Sequence, residues 1–586
     1  MAVFNPKIVD ASVRDVVSAL SNEVKVDVLL YAMERIAANP NSRTTIENAA
    51  QSVLQLAAAR PDKQIQARLI RAKARLAAGM RGAAHQDLQM ILQLDPEHSE
   101  ASELLPSGNS GDNKKRSVRG NSRLSNEVWR EVALYLSKND LRSLLLVPHA
   151  LSAIASQLLL QTVNLHFGTE PHRRHFTDIL SQELDEWHAR RSAEILTHLV
   201  SDPKHACHVR SLNVFSSSTE GALAFQLAMI ENAIPKLVNL TSFGCRMDGK
   251  AMHTLLHALE KSQTKLKSLV LDPISPLPAE LPNFPLLTRF AYGGEGIDGA
   301  PPNLDHIFCG RSVALRKLVI QNSRFMLDAR VPFGSLTSLD LRCSIRDGEL
   351  LSMIFLEGRH IQRLSLTCTV SRNDSPTLTQ AFRAHASALP SLRAFSFQIE
   401  GSPHSTEDPS LVPSMTEFIR AHPYLEALRI MNALAGQISG SIVWSVLPML
   451  QKLTVLSMEL PKDPALAIWL IPKSVIALHL SFPHAHMDDA TLVSQLLPGL
   501  PRDLKILSLP FMNVSGPLRD VLDGSLPHLK MLAIGAVNHS VVRTHRGLEL
   551  ERWGERRCKY FLADSLGGLG GEYEFAPWVA PLPWHW

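Results

Sequence analysis

Residues 336–341 read LTSLDL, 361–366 read IQRLSL and 504–509 read LKILSL. Each is an apolar residue, two variable ones, an apolar, one variable and an apolar. The closing alternation is that of a strand with one face buried, since successive side chains on a strand point to opposite sides. The phrase begins at Val209, Leu240, Leu266, Leu287, Leu315, Leu336, Ile361, Leu392, Leu425, Leu453, Val475, Leu504 and Leu529, at steps of 21 to 33 residues. One copy carries too little apolar surface to fold alone, whereas stacked copies share a continuous core.

Between the phrases lie amphipathic stretches such as GKAMHTLLHALEKSQ (249–263) and PTLTQAFRAHASALP (376–390), which fit helices on the outer side. The array resembles leucine-rich repeats, whose short parallel strands line a concave face with helices or turns behind. That resemblance places variable residues such as Arg316, Lys317 and Val319 toward or beside the concave surface. The Asn usual in such repeats is mostly absent, so an irregular array is expected, with loops projecting from the long repeats across 361–424. An extended curved surface suits a protein partner better than a small molecule.

Upstream, residues 124–165 read LSNEVWREVALYLSKNDLRSLLLVPHALSAIASQLLLQTVNL. Three helices are expected. The first runs from about Asn126 to Leu136, with Ser125 as N-cap and Glu127 in its first turn. Val128, Val132 and Leu136 share one face of it, with Trp129 beside them. The second opens on Ser137-Lys138-Asn139-Asp140, a capping spacing, continues with Leu141, Leu144, Leu145 and Val147, and ends at Pro148. The third, about Leu151–Leu160, supplies Leu151, Ile154, Ala155, Leu158 and Leu159. Some forty residues cannot bury this many large apolar side chains by themselves.

The run resembles an F-box through Leu124, Glu127, Val128, Tyr135, Leu136, Asp140, Leu141, Leu144 and Val147. It departs from that pattern at Ser125, where Pro is usual, and at Pro148-His149, where Cys-Arg is common. The resemblance implies docking on a Skp-family adaptor through Leu124, Glu127, Val128, Val132, Leu136, Leu141, Leu144, Val147 and Leu151. It implies a cullin scaffold reached indirectly through the adaptor, and a protein substrate on the concave face of the repeats. An ordinary helical cap on the solenoid is the alternative reading of the same residues.

Residues 1–105 have helix-length apolar periodicity, with Pro or Gly at most of the ends. An echo at 35 residues pairs Ala49 with Ala84, Val53 with Leu88 and Pro61 with Pro96. The segment Ile65–His98 resembles a tetratricopeptide repeat at Ala72, Ala84, Leu88 and Pro96. It departs at Arg68, Arg71 and Arg75, where large apolar or aromatic residues are usual. Repeat helices and a plain bundle both fit.

Residues 106–123 are rich in Gly, Ser and charge and read as a linker. Five basic residues and Asp112 give this segment +4, the net charge of the whole chain, so the remainder sums to zero. A nucleic-acid-binding role would need a broad basic surface, and none is implied. Lys114-Lys115-Arg116 reads as a solvated linker cluster or a nuclear-import signal. The N-terminal MAVFNPKIVD lacks the layout of a secretory signal. The most apolar window, 465–482, is broken by Pro472, Lys473 and His479, and no membrane span is expected. Six cysteines without paired spacing suit reduced thiols in the cytoplasm or nucleus.

Clusters that invite an enzyme reading are weak. His205, Cys207 and His208 lack a second cluster to complete a zinc site. His484, His486, Asp488 and Asp489 read as a polar loop. Gly293-Gly294-Glu295-Gly296 lacks the Lys-Ser/Thr of a phosphate loop. No catalytic residue, cofactor or metal is expected.

The expected architecture is α + α/β. Helical hairpins occupy 1–105, the linker 106–123, the F-box-like helices 124–165, a helical connection 166–204 and the repeats 205–540. A cap follows at 541–586, with LELERWGERRCKYFLADSLGG as a capping helix and a Pro- and Trp-rich tail. The implied function is substrate recognition within a cullin-type ubiquitin ligase. The alternatives are a repeat scaffold without an adaptor, or an F-box protein acting outside a ligase.

Overall fold

The computed structural model describes residues 21–105, 126–167, 179–216, 223–294, 315–321, 331–400, 408–461, 464–481, 495–510 and 522–554, apart from short stretches inside some of these spans. The linker 106–123, Leu124, Ser125 and everything after Gly554 lie outside the described residues. The chain divides into two compact units, residues 1–122 and 123–586.

In the first unit α1 (Asn22–Ile36), α2 (Arg43–Leu56), α3 (Pro61–Ala77), α4 (Arg81–Leu94) and α5 (Ser99–Leu104) follow one another. Each packs on the next, and α1 also meets α3. Pro61 opens α3 at a position where a missing N–H costs nothing. Helix α3 serves two cores: Ala67 and Ile70 join Leu30, Met33, Ile46 and Val53, while Ala72 joins Ala84, Leu88, Ile91 and Ala101. Small residues at Ala72 and Ala84 let the helix backbones approach closely.

Among the described residues, the second unit holds one sheet of sixteen strands whose spatial order is their sequence order. The strands are β1 (Thr162–Phe167), β2 (Ser211–Ser216), β3 (Ser242–Met247), β4 (Ser268–Pro273), β5 (Arg289–Tyr292), β6 (Lys317–Ile320), β7 (Ser338–Ser344) and β8 (Arg363–Thr369). They continue as β9 (Ala394–Glu400), β10 (Ala427–Met431), β11 (Val455–Glu459), β12 (Ala477–Ser481), β13 (Ile506–Leu509), β14 (Met531–Ile534), β15 (Val537–Thr544) and β16 (Gly547–Arg552). Strands β1 to β14 pair in parallel, each with its sequence neighbour. Every one of the apolar phrases from Val209 to Leu529 is followed, two residues on, by the first residue of a strand. This is a leucine-rich-repeat-like solenoid.

The alternation sorts the side chains. In register across the sheet run Val163, Leu212, Phe243, Leu269, Phe290 and Leu318, and the row continues to Leu532 without a polar residue. These residues belong to one continuous core with the helices behind the sheet. At about 1.5–3 kcal/mol per large apolar side chain buried, this row is the main support of the stack. Phe355, Phe382, Phe395, Phe397 and Phe418 fill its middle, with Phe382 edge-on to Phe397 at 5.6 Å between ring centres. His422 ties neighbouring repeats together, its ring nitrogens each 2.6 Å from a carbonyl oxygen, those of Phe418 and Ala388.

Both ends of the sheet differ from the expectation. The sheet begins at Thr162, because β1 pairs with β2 well ahead of the boundary placed at 205. Leu160, Val163 and Leu165 already carry the repeat phrase, which the helical spacing of the preceding residues conceals. At the other end, the expected helix at LELER is strand β16, which forms an antiparallel hairpin with β15. The hairpin also pairs with β14, so the last parallel strand is not an open edge.

Candidate protein-binding surfaces

Three short helices lead into the sheet: α6 (Asn126–Leu134), α7 (Lys138–Leu144) and α8 (Ala150–Leu160). Their shared core is small. Ala133, Leu141, Ile154 and Ala155 are buried, with Trp129, Leu136, Leu144, Leu158 and Leu159 packed around them. Of the expected docking residues, Leu141 therefore faces inward, while Leu136, Leu144 and Leu151 are half-buried. Val128, Val132 and Val147 are exposed, as is Glu127, and Leu124 lies outside the described residues.

The same helices present further apolar side chains to solvent: Leu134, Leu145, Tyr135 at 89% and Leu146 at 87% exposure. The last two lie just past a helix end, where the amide of Tyr135 donates to Val132 O and that of Leu146 to Ser143 O, bonds that tighten the last turn. One signal for Leu146 stood in the sequence. Three consecutive leucines at 144–146 step about 100° each around a helix, so they cannot all face one core.

On the sheet face opposite the helices, the residues between the apolar rows are polar in a graded way. At the start, Asn213 Nδ2 donates to Asn164 Oδ1 at 2.8 Å. In the middle stands Asp340, in register with Val319 and Ser365. Burial pushes its carboxyl up; hydrogen bonds from Ser365 and Gln321 and the charges of Arg429 and Arg363 oppose that shift. Arg429 is in turn pulled down by burial and held up by Asp340. Farther along, Ser396, Ser457, His479 and Ser508 of the same row are buried.

Chemistry-bearing groups on this face are engaged structurally. His479 Nδ1 lies 2.9 Å from Ser508 Oγ, but Ser508 is fully buried, so its hydroxyl does not meet solvent. The amide of Gly294, in the glycine-rich 293–296 segment, donates to Asp272 Oδ1 at 3.1 Å, so a carboxylate of the chain already occupies that donor. Near the start of the array, Cys207 Sγ contacts His208 Nδ1 at 3.8 Å, and His205 Nδ1 lies 3.0 Å from Asp202. Among the described residues, no group of three His, Cys, Asp or Glu side chains is placed to hold a metal ion. No helix among them is long and apolar enough to cross a membrane.

No family model matches the chain, and no curated protein matches it. Among solved structures, the leucine-rich repeat-containing protein LegL7 from Legionella pneumophila aligns over 72% of this chain and 99% of its own. The identity is 13% and the TM-score 0.26.

Proposed function

We propose that this chain is the substrate-recognition subunit of a cullin-type ubiquitin ligase. Helices α6 to α8 dock on a Skp-family adaptor, and the solenoid holds a protein target. The adaptor links to a cullin that carries the ring-finger subunit, and lysines of the target are brought to a charged ubiquitin carrier. Rate enhancement then comes from proximity alone. The observation that carries this reading is the excess of exposed apolar side chains on a module in which four hydrophobic residues are buried among those described. Val132, Tyr135, Leu146 and Val147 are the apolar side chains that an adaptor would cover.

The test is co-purification of the full chain with a Skp-family adaptor and a cullin, beside the variant Val132→Asp/Leu146→Asp. These positions are exposed, so the variant keeps its fold, whereas Leu141→Asp would break the module's core. Recovery of both partners by the wild type, lost in the variant, is the expected result. Recovery of adaptor without cullin points to a role outside a ligase. Recovery of neither makes the module a cap on a repeat scaffold.

A further inference from the structure

We infer that the edge of the sheet where the strands begin is a docking rail for an acidic peptide with a carboxylate at every third residue. The residue just before each strand forms a ladder of its own. Thr241 N donates to Arg210 O, Lys267 N to Thr241 O, Thr288 N to Lys267 O, Arg316 N to Thr288 O and Thr337 N to Arg316 O, all at 2.8 Å. Along this edge the chain alternates Arg210, Thr241, Lys267, Thr288, Arg316 and Thr337.

The threonines bond back along the edge, and of the cations Arg316 Nη1 also donates to Ser335 O at 3.1 Å. Thr241, Thr288 and Thr337 each turn the hydroxyl back onto the carbonyl of the preceding rung, at 3.1 to 3.2 Å. Arg210, Lys267 and Arg316 are exposed, as is Lys317 beside Arg316. Among the described residues no carboxylate lies within ion-pair distance of Arg210, Lys267, Arg316 or Lys317. The first acid on the ladder is Glu426, paired with Arg393 at 3.2 Å. The opposite edge is mixed, with Arg246 and Asp272 ion-paired at 3.5 Å. Among the described residues this edge is a local concentration of positive charge.

The spacing selects the ligand. Neighbouring parallel strands lie about 4.8 Å apart, so cations on alternate rungs are about 9.6 Å apart. A polyproline II segment rises about 3.1 Å per residue with three residues per turn. It therefore returns a side chain to the same side every ~9.3 Å, in step with the cations. Single-stranded nucleic acid fits less well, because the intervening rungs are threonines and offer no aromatic platform for bases.

This inference rests on the solenoid being the partner-selecting part, and its test needs no adaptor. Binding of a fluorescein-labelled peptide of Glu-Pro-Ser repeats to the full chain is followed by anisotropy. An isomer with its glutamates in one block and an oligothymidylate run alongside. The repeat peptide is expected to bind more tightly than either. Arg210→Glu/Lys267→Glu/Arg316→Glu is expected to weaken it by about tenfold or more, in a salt-dependent way. Lys261→Glu/Arg383→Glu, on helices behind the sheet, is expected to leave it unchanged, and far-UV circular dichroism checks both folds. Equal affinity for the block isomer, tighter oligothymidylate binding, or no loss in the triple variant would each overturn the inference. Adaptor capture in the experiment above is independent of all three.

Discussion

Arg71 and Asp87 are joined across α3 and α4 by two parallel hydrogen bonds, Nε to Oδ2 at 2.9 Å and Nη2 to Oδ1 at 2.5 Å, with both side chains buried. Arg75 Nη1 donates to the same carboxylate at 2.8 Å and its Nε to Glu47 at 3.1 Å, while Arg68 stands 3.7 Å away. The arginines that break the tetratricopeptide-like pattern thus converge on one acid supplied by the next helix. Asp87→Ala would leave Arg71 buried without its partner, at a cost of about 3–5 kcal/mol. Urea unfolding of the first unit is expected to shift to markedly lower denaturant. Arg75→Ala should cost less, since Asp87 keeps its two-point bond to Arg71. Equal losses in the two variants would show that the network does not centre on Asp87.

In the helical module, Leu141 lies within α7 and Leu146 two residues past its end, with opposite surroundings. Leu141→Ala removes a core side chain and should destabilise the module by about 2–5 kcal/mol. Leu146→Ala should stay within about 0.5 kcal/mol while weakening adaptor capture. Hydrogen exchange of the α8 amides separates the two effects, rising for the first variant and not for the second.

Two glycines differ in what surrounds them. A Cβ at Gly249 would stand 2.3 Å from Pro276 O and 2.7 Å from Ser275 O, both fixed backbone. The adjoining Asp248 caps the helix through Lys250 N and Ala251 N and also accepts from Ser275 Oγ, which locks this loop in place. Gly249→Ala is expected to cost about 1–3 kcal/mol through overpacking. At Gly244 the nearest atoms to the Cβ would all belong to the Asn213 side chain, with Oδ1 at 2.3 Å and Cγ at 3.3 Å. Asn213 can rotate at the cost of its bond to Asn164, about 1 kcal/mol or less. Thermal unfolding should rank Gly249→Ala clearly below Gly244→Ala.

The repeats were legible because burial on one side of a strand writes itself as a period of two, and each phrase from Val209 to Leu529 stands two residues ahead of its strand. β1 was hidden because Leu160, its first apolar position, also completes the helical spacing of α8. β16 reads as either element because LELER alternates like a strand and is also rich in helix formers; only pairing with β15 decides. The threonine-and-cation edge lies at a position the repeat phrase treats as variable. It becomes visible only when register brings residues about 25 apart in sequence onto adjacent rungs. The partner of Arg71 was likewise a matter of tertiary packing, since nothing local links it to Asp87.

Burial pushes the Tyr292 phenol up to about 12, and the charge of Asp272 adds to the shift. In the unfolded chain the same group titrates near 10. Between those values the unfolded chain has lost a proton that the folded chain keeps. Stability from this group is therefore fully present below about pH 10 and is lost as pH rises toward 12. In an absorbance titration at the phenolate band, the difference between wild type and Tyr292→Phe is expected to centre well above the other five tyrosines. The decline of urea stability with pH in that range should also be shallower in Tyr292→Phe. A difference curve centred near 10 would mean that the phenol is open to water when the sheet is folded. Tyr292 would then not belong to the inward row it shares with Leu271 and Ile320.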